Sequence, residues 1–245
     1  MRCLALSQMD EGGACIMMEK SISLEKDGTI CIQKNTRGRG TTLYLTRHGQ
    51  TEWNLEGRLQ GRRNSPLTPQ GLLHASWLGE SLAQTQLDAV YSSTSPRALQ
   101  TAEILRGDRA LEVKGLDALQ EIDMGDWEGR VGAEIEATSP DDYHAFWNTP
   151  HLYEPTNGGE SFVQLGERVI PAIERILEAH PGGHILVVTH AGVLNLLMTA
   201  FHGLPISEMW KPPILQSTCL CKIVYGVDGA VVELHGDVSH YRAQA

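Results

Sequence analysis

The stretch HILVVTH (184–190) is apolar and rich in β-branched residues, and AGVLNLLMTAF (191–201) follows it directly. A run of this length without polar alternation suits a strand covered on both faces, as the central strands of a parallel sheet are. Residues 192–201 then continue as a helix. Outward from this pair the alternation repeats. LYLTR (43–47) and LDAVYSS (87–93) read as further strands. Thr68-Pro69 supplies an N-cap followed by proline at the first helical position, which opens a helix to about residue 83. A second helix covers 96–105, and a third runs from about 161 to about 179. Pro171 lies inside the third, removes a backbone donor and predicts a kink or a break there. TCLCKIVYG (218–226) and AVVELHG (230–236), joined through Asp228-Gly229, predict a closing hairpin. Strands alternating with helices predict an α/β fold, a three-layer sandwich with a mostly parallel central sheet and helices on both faces.

Composition narrows the function. The chain has 245 residues, 41% of them hydrophobic and 20% charged, so it can bury a core. A formal net charge of −10, from 20 Lys+Arg against 30 Asp+Glu, argues against a nucleic-acid partner. No apolar run approaches the ~20 residues that cross a bilayer, so no membrane partner is expected. The opening MRCLALSQMDEGG has no long apolar segment of the kind that directs secretion. Five cysteines with no CxxC spacing make no disulfide framework, and a reduced, cytoplasmic protein is expected. Residues 1–40 stand apart: they hold Cys3, Cys15 and Cys31 and end in RGRG (37–40), which reads as a join. Within them SISLEK-DG-TICIQK carries a hairpin signal, closed by a two-residue turn or by a three-residue loop with a bulge. The sequence leaves open whether this extension packs as extra strands or stays loose. The division expected is 1–40 as an extension and 41–245 as the main domain.

The chemistry gathers at strand ends. In open α/β sheets, ligands bind beyond the carboxyl ends of the strands, and there LTRHGQTEWN (45–54) places Arg47, His48 and Gly49. A neutral imidazole is a competent nucleophile toward phosphorus, and a neighbouring guanidinium both lowers its pKa and binds phosphate oxygens. Gly49 lets the backbone turn closely. VVTHAGV (187–193) puts His190 at a second strand end, where Ala191 and Gly192 open a helix whose N–H groups favour an anion. YSSTSPRAL (91–99) places Arg97 in the first turn of a helix after a third. Taken alone, each is a surface or strand-end residue. Together, two arginines and two histidines can hold and transfer a phosphoryl group, with no metal required and no cofactor implied. The departing alkoxide needs a proton, and LQEIDMGDWEG (119–129) offers Glu121, Asp123, Asp126 and Glu128. A carboxylic acid beside a bound dianion has a raised pKa and can act as that donor. Spacing does not choose among the four.

With LTRHGQTEWN, RLQGRRNSPLTPQG, SS…RALQTAEI, LQEIDMGDWEG, GGES and VVTHAGV in this order, the chain resembles the histidine phosphatase superfamily, phosphoglycerate mutase-like branch. The resemblance implies that branch's fold and makes His48 the phosphorylated nucleophile. It places Arg47, Arg97 and His190 in the phosphate pocket and makes Glu121 the proton donor. Gly49, Asn54, Gln60, Gly61 and Ala191 are implied as substrate-binding positions. Asn64 departs from the pattern, since an aspartate is common there. The LQEIDMGDWEG segment resembles the broad-specificity and ribazole-phosphate phosphatases rather than the glycolytic mutases. The function expected is therefore a metal-independent phosphomonoesterase acting on a small phosphorylated metabolite, with mutase-type transfer as the alternative and a silent phospho-ligand binder behind it. Oligomeric state is not readable.

The remaining features read as structure. The aromatic segment 139–157 either covers the substrate group or packs as a subdomain without ligand contact. His180 and His184 are separated by Pro181-Gly182-Gly183 and make no helical metal pair. Cys219 and Cys221 share a strand face as buried thiols. Trp53, Trp77 and Trp127 are packing residues.

Overall fold

A computed structural model describes Thr29, Ile32 and residues 40–242. The elements run in the order β1 (Thr41–Arg47), α1 (Glu52–Leu55), α2 (Pro69–Ser81), β2 (Ala89–Ser93), α3 (Pro96–Arg106), β3 (Val113–Leu116), α4 (Gly132–Thr138), α5 (Pro140–Asn148), α6 (Phe162–Ala179), β4 (His184–Thr189), α7 (Ala191–Phe201), β5 (Leu220–Gly226) and β6 (Gly229–Asp237). Six strands form one sheet in the order β3-β2-β4-β1-β5-β6. The first four lie parallel, and β5 and β6 return antiparallel as the expected hairpin. The proposed hairpin within residues 1–40 lies outside the described residues.

Alternate residues of the central strands feed two separate cores. Leu43, Leu45, Ala89, Tyr91, Ile185 and Val187 face one side, packed with α6 and α7. Tyr44, Val90, Leu186 and Val188 face the other, packed with Leu78, Ala98, Ala102 and Leu105 of α2 and α3. This is why HILVVTH carries no polar alternation: both of its faces are buried. Thr68 caps α2 by accepting from the Gly71 N–H, and Pro69 occupies the first helical position as expected.

The structure departs from the sequence reading at three places. Of the kink or break expected at Pro171, the break does not occur: α6 is one continuous helix through it. Its buried face, which includes Phe162, Leu165, Val169, Ile170 and Ile173, holds the helix on the sheet, while Glu167, whose carbonyl loses its partner, is exposed. β3 was not anticipated, because VKGL is short and contains a glycine at an edge position. α5 occupies the segment the sequence marked only as aromatic, and α4 precedes it in a stretch to which the sequence assigned no element.

Candidate active site

Sheet register brings the two histidines together. Arg47 at the end of β1 pairs with Thr189 at the end of β4, so His48 and His190 leave neighbouring parallel strands at the same level. Their ring centroids are 5.2 Å apart with planes inclined at 60°. Each tautomer follows from its partners. Nδ1 of His48 lies 2.7 Å from the Gly49 carbonyl oxygen, which can only accept, so Nδ1 carries the proton. The lone pair is left on Nε2, where it accepts from Arg97 Nε at 3.3 Å. His190 is the reverse: Nδ1 accepts from Arg97 Nη2 at 3.1 Å, and Nε2–H donates to Ser93 Oγ at 2.7 Å. Burial first, then the charge of Arg97, holds both imidazoles well below the ordinary histidine range, with Arg47 adding to the effect. Both are therefore neutral at pH 7.

Arg97 is anchored on a loop. Its Nη1 donates to Arg63 O at 2.7 Å and its Nη2 to Gly61 O at 2.8 Å. Asn64 Oδ1 accepts from the Arg97 backbone N–H at 3.2 Å, so the departure at this position still serves the first turn of α3. Glu128 in turn fixes the loop, its carboxylate accepting from the backbone N–H of Arg62 at 2.7 Å and of Arg63 at 3.1 Å. Arg47 donates to Leu215 O at 3.1 Å, while its buried Nε has no partner among the described residues. Burial lowers the pKa of both guanidiniums, Arg97 to about 10, and Glu121 partly opposes this in each case. Two desolvated cations converging on two neutral imidazoles make a site suited to a doubly charged anion.

Of the four carboxylates in LQEIDMGDWEG, Glu121 alone lines the cavity that holds His48. Its Oε1 accepts from Ile122 N–H at 3.0 Å and its Oε2 from Gly192 N–H at 3.1 Å, which seats the carboxylate on the N-terminus of α7. Gly192 leaves room for it: a Cβ there would lie 2.7 Å from Glu121 Oε1, and the carboxylate would have to shift. Asp123 Oδ1 accepts from Gly125 N–H and Asp126 is exposed, so neither competes for the role.

The cavity has a volume of about 350 Å³. Arg47, His48, Asn54, Gln60, Gly61, Arg97, Glu121 and Ala191 line it, whereas Gly49 and His190 do not. His190 is fully buried and reaches the site through Arg97. Gly49 is needed for packing: a Cβ would come 2.8 Å from Gly71 O. Gly61 adopts φ +52° and a side chain would overlap the Glu128 carboxylate. Asn54 closes the capping box of α1 with Thr51, so part of its hydrogen bonding is structural. Gln60 donates to Thr51 Oγ1 at 2.8 Å, leaving its buried Oε1 unpartnered among the described residues. Phe146 and Trp147 of α5 line the cavity, and Phe146 also packs against Trp127, Tyr153 and Phe162, so segment 139–157 both meets the cavity and forms a packed cluster. Sequence reasoning missed Ser93 and Glu128's actual task. The YSS strand end was the available signal for Ser93.

The sequence profile of the histidine phosphatase superfamily (branch 1) matches residues 43–238. The chain belongs to that superfamily. The chain is 37% identical over 168 residues to the adenosylcobalamin/alpha-ribazole phosphatase of Escherichia coli K12, spanning 69% of this chain and 82% of that one. It is 34% identical over 215 residues to the probable phosphoglycerate mutase GpmB of Salmonella choleraesuis, spanning 83% and 96%. Among solved structures it resembles Bacillus stearothermophilus YhfR, with a TM-score of 0.79 at 44% identity, covering 82% of this chain and 98% of that one. The α/β fold is thus that of phosphoglycerate mutase-like proteins, and the relatives include phosphatases. No helix among the described residues is long and apolar enough to cross a membrane.

Proposed function

We propose that the protein is a metal-independent phosphomonoesterase that works through a phosphohistidine. The observation that carries this reading is the convergence of a lone-pair-bearing His48 Nε2, the Arg47 and Arg97 guanidiniums and the Glu121 carboxylate on one cavity. On arrival of a phosphate ester, Arg97 Nε exchanges its bond to His48 Nε2 for a phosphoryl oxygen. His48 Nε2 then attacks phosphorus as the ester P–O bond breaks, and Glu121 delivers its proton to the departing oxygen. In the second half, Glu121 takes a proton from water, the hydroxide attacks phosphorus and the P–N bond breaks, releasing phosphate. Arg47, Arg97 and the His190 that Arg97 contacts stabilise the charge in both halves. The positive charge a metal would supply is carried by the two arginines.

Leu59, Met124, Phe146, Trp147, Trp210 and Leu215 wall the same cavity. Such a wall suits an organic group with apolar or aromatic surface. The substrate proposed is therefore a small phosphomonoester of that kind.

The test is direct. A rapid-quench experiment with phosphorylated substrate is expected to leave an acid-labile, base-stable label on His48, and His48→Ala to lose the label and at least about a thousandfold in kcat. Turnover retained by His48→Ala, or lost in EDTA, overturns the reading. Inorganic phosphate measured against positional isomer separates hydrolysis from mutase transfer: phosphate stoichiometric with substrate consumed is expected.

A further inference from the structure

The backbone that carries Glu121 is coil from Glu121 to Met124, preceded by a single helical turn at Asp117–Leu119. Coil does not hold a side chain in place through a ladder of main-chain bonds, so the partners of its carbonyl groups matter. For the four carbonyls that lead up to and include that of Glu121, they come from two side chains on other elements. Arg168 of α6 donates from Nη1 to Ala118 O at 2.9 Å and to Gln120 O at 2.7 Å, and from Nη2 to Glu121 O at 2.9 Å. Thr189 at the end of β4 donates to the carbonyl between them, Leu119 O, at 2.8 Å. Four consecutive carbonyls ending at Glu121 are thereby fixed.

The two remaining N–H groups of Arg168 go to Glu160, from Nε to Oε1 at 2.7 Å and from Nη2 to Oε2 at 2.8 Å. A guanidinium has five donors, and all five are used. Glu160 Oε2 also accepts from the Asp123 N–H at 3.2 Å, so the ion pair grips the coil on both sides of Glu121. Neither residue lines the cavity. An arrangement of this kind serves the geometry of the coil, and Lys, with three donors on a point charge, cannot reproduce the fork.

We propose that Arg168, oriented by Glu160, is a positioning residue for Glu121, setting the carboxyl at the place where the leaving oxygen departs. The proposal rests on the reading of Glu121 as proton donor. It predicts a defect confined to leaving groups that need a proton.

The experiment compares p-nitrophenyl phosphate, whose phenolate departs without protonation at neutral pH, with p-nitrobenzyl phosphate, whose alkoxide requires it. The parameter is kcat/KM, which for a phosphohistidine enzyme reports the step in which the leaving group departs. Glu121→Gln sets the benchmark, a large loss on the benzyl ester and a small one on the phenyl ester. Arg168→Lys and Glu160→Gln are expected to lose about 10- to 100-fold on the benzyl ester and less than about threefold on the phenyl ester. Equal losses on both esters, or none, while Glu121→Gln stays selective, overturn the positioning role and leave the reading of Glu121 standing. Equal losses in Glu121→Gln itself overturn both. Should Arg168→Lys fail to fold, Glu160→Gln, which keeps the shape of the side chain but loses its charge and one of the two acceptor oxygens that serve Arg168 and the Asp123 N–H, decides the matter by the same ratio.

Discussion

His48 and His190 are 3% and 0% exposed, and both are held neutral by burial beside two guanidiniums. Their folded pKa values lie below the unfolded value of 6.5, so the unfolded chain takes up protons that the folded chain refuses as pH falls through 6.5. Stability is complete above that value and declines below it, with a slope reaching about 2.7 kcal/mol per pH unit for the two groups together. Urea titrations at a series of pH values check this; a stability flat from pH 7 to pH 5 contradicts it. The same shift places the acid limb of kcat/KM below the ordinary histidine range, because the His48 lone pair survives to lower pH. At this scale the sequence was informative where a residue's place is fixed by a strand end, as for Arg47, His48, Arg97 and His190. It was less so for Gly49 and Gly61, whose missing side chains make room for Gly71 and Glu128 of the protein itself. That requirement depends on which loops meet, and spacing along the chain does not record it.

Among the elements, α7 has a double task, since it covers the sheet and presents its first N–H groups to the site. Gly192→Ala tests this: a methyl group 2.7 Å from Glu121 Oε1 displaces the carboxylate, and activity on alkyl phosphates should fall on the order of tenfold or more with the fold intact. An alanine variant as active as the parent on those esters would show that the carboxylate tolerates the shift. The segment from Leu119 to Glu128 illustrates what the sequence withheld. Its four acidic residues look alike in a string, yet one meets the cavity, one holds the loop beneath Arg97, one supports a local turn and one faces solvent. Only the approach of α6, α7 and the 61–63 loop tells them apart. Helices α2 and α3 were legible for the opposite reason, because Pro69 and Pro96 mark their starts locally. β3 and α4 lack such marks and depend on tertiary packing.

At the scale of the whole molecule, the described residues brought to the cavity lie between Arg47 and Leu215. Before Thr41 the described contacts are those of Thr29, which bridges to Pro205, and Ile32, which packs against the larger core. A chain beginning at Thr41 should therefore keep its kcat/KM while melting at a lower temperature, and calorimetry beside a phosphate-release assay checks both. Loss of activity in proportion to the loss of those forty residues, in a chain that still folds, would contradict the proposed division. The alternation of strand and helix was readable because two-sided burial leaves its mark on every central strand.

The paired register of β1 and β4 has a consequence for engineering. Spacing between the two imidazoles is inherited from the sheet, whereas the aromatic wall comes from α5 and from the stretch around Trp210, neither of which is part of the sheet. A designer could vary Trp147 and Trp210 to retune which alcohol is released, leaving the reacting atoms where the strands put them, while Phe146, Tyr153 and Asn157 stay because they hold the core and the turn after Glu121.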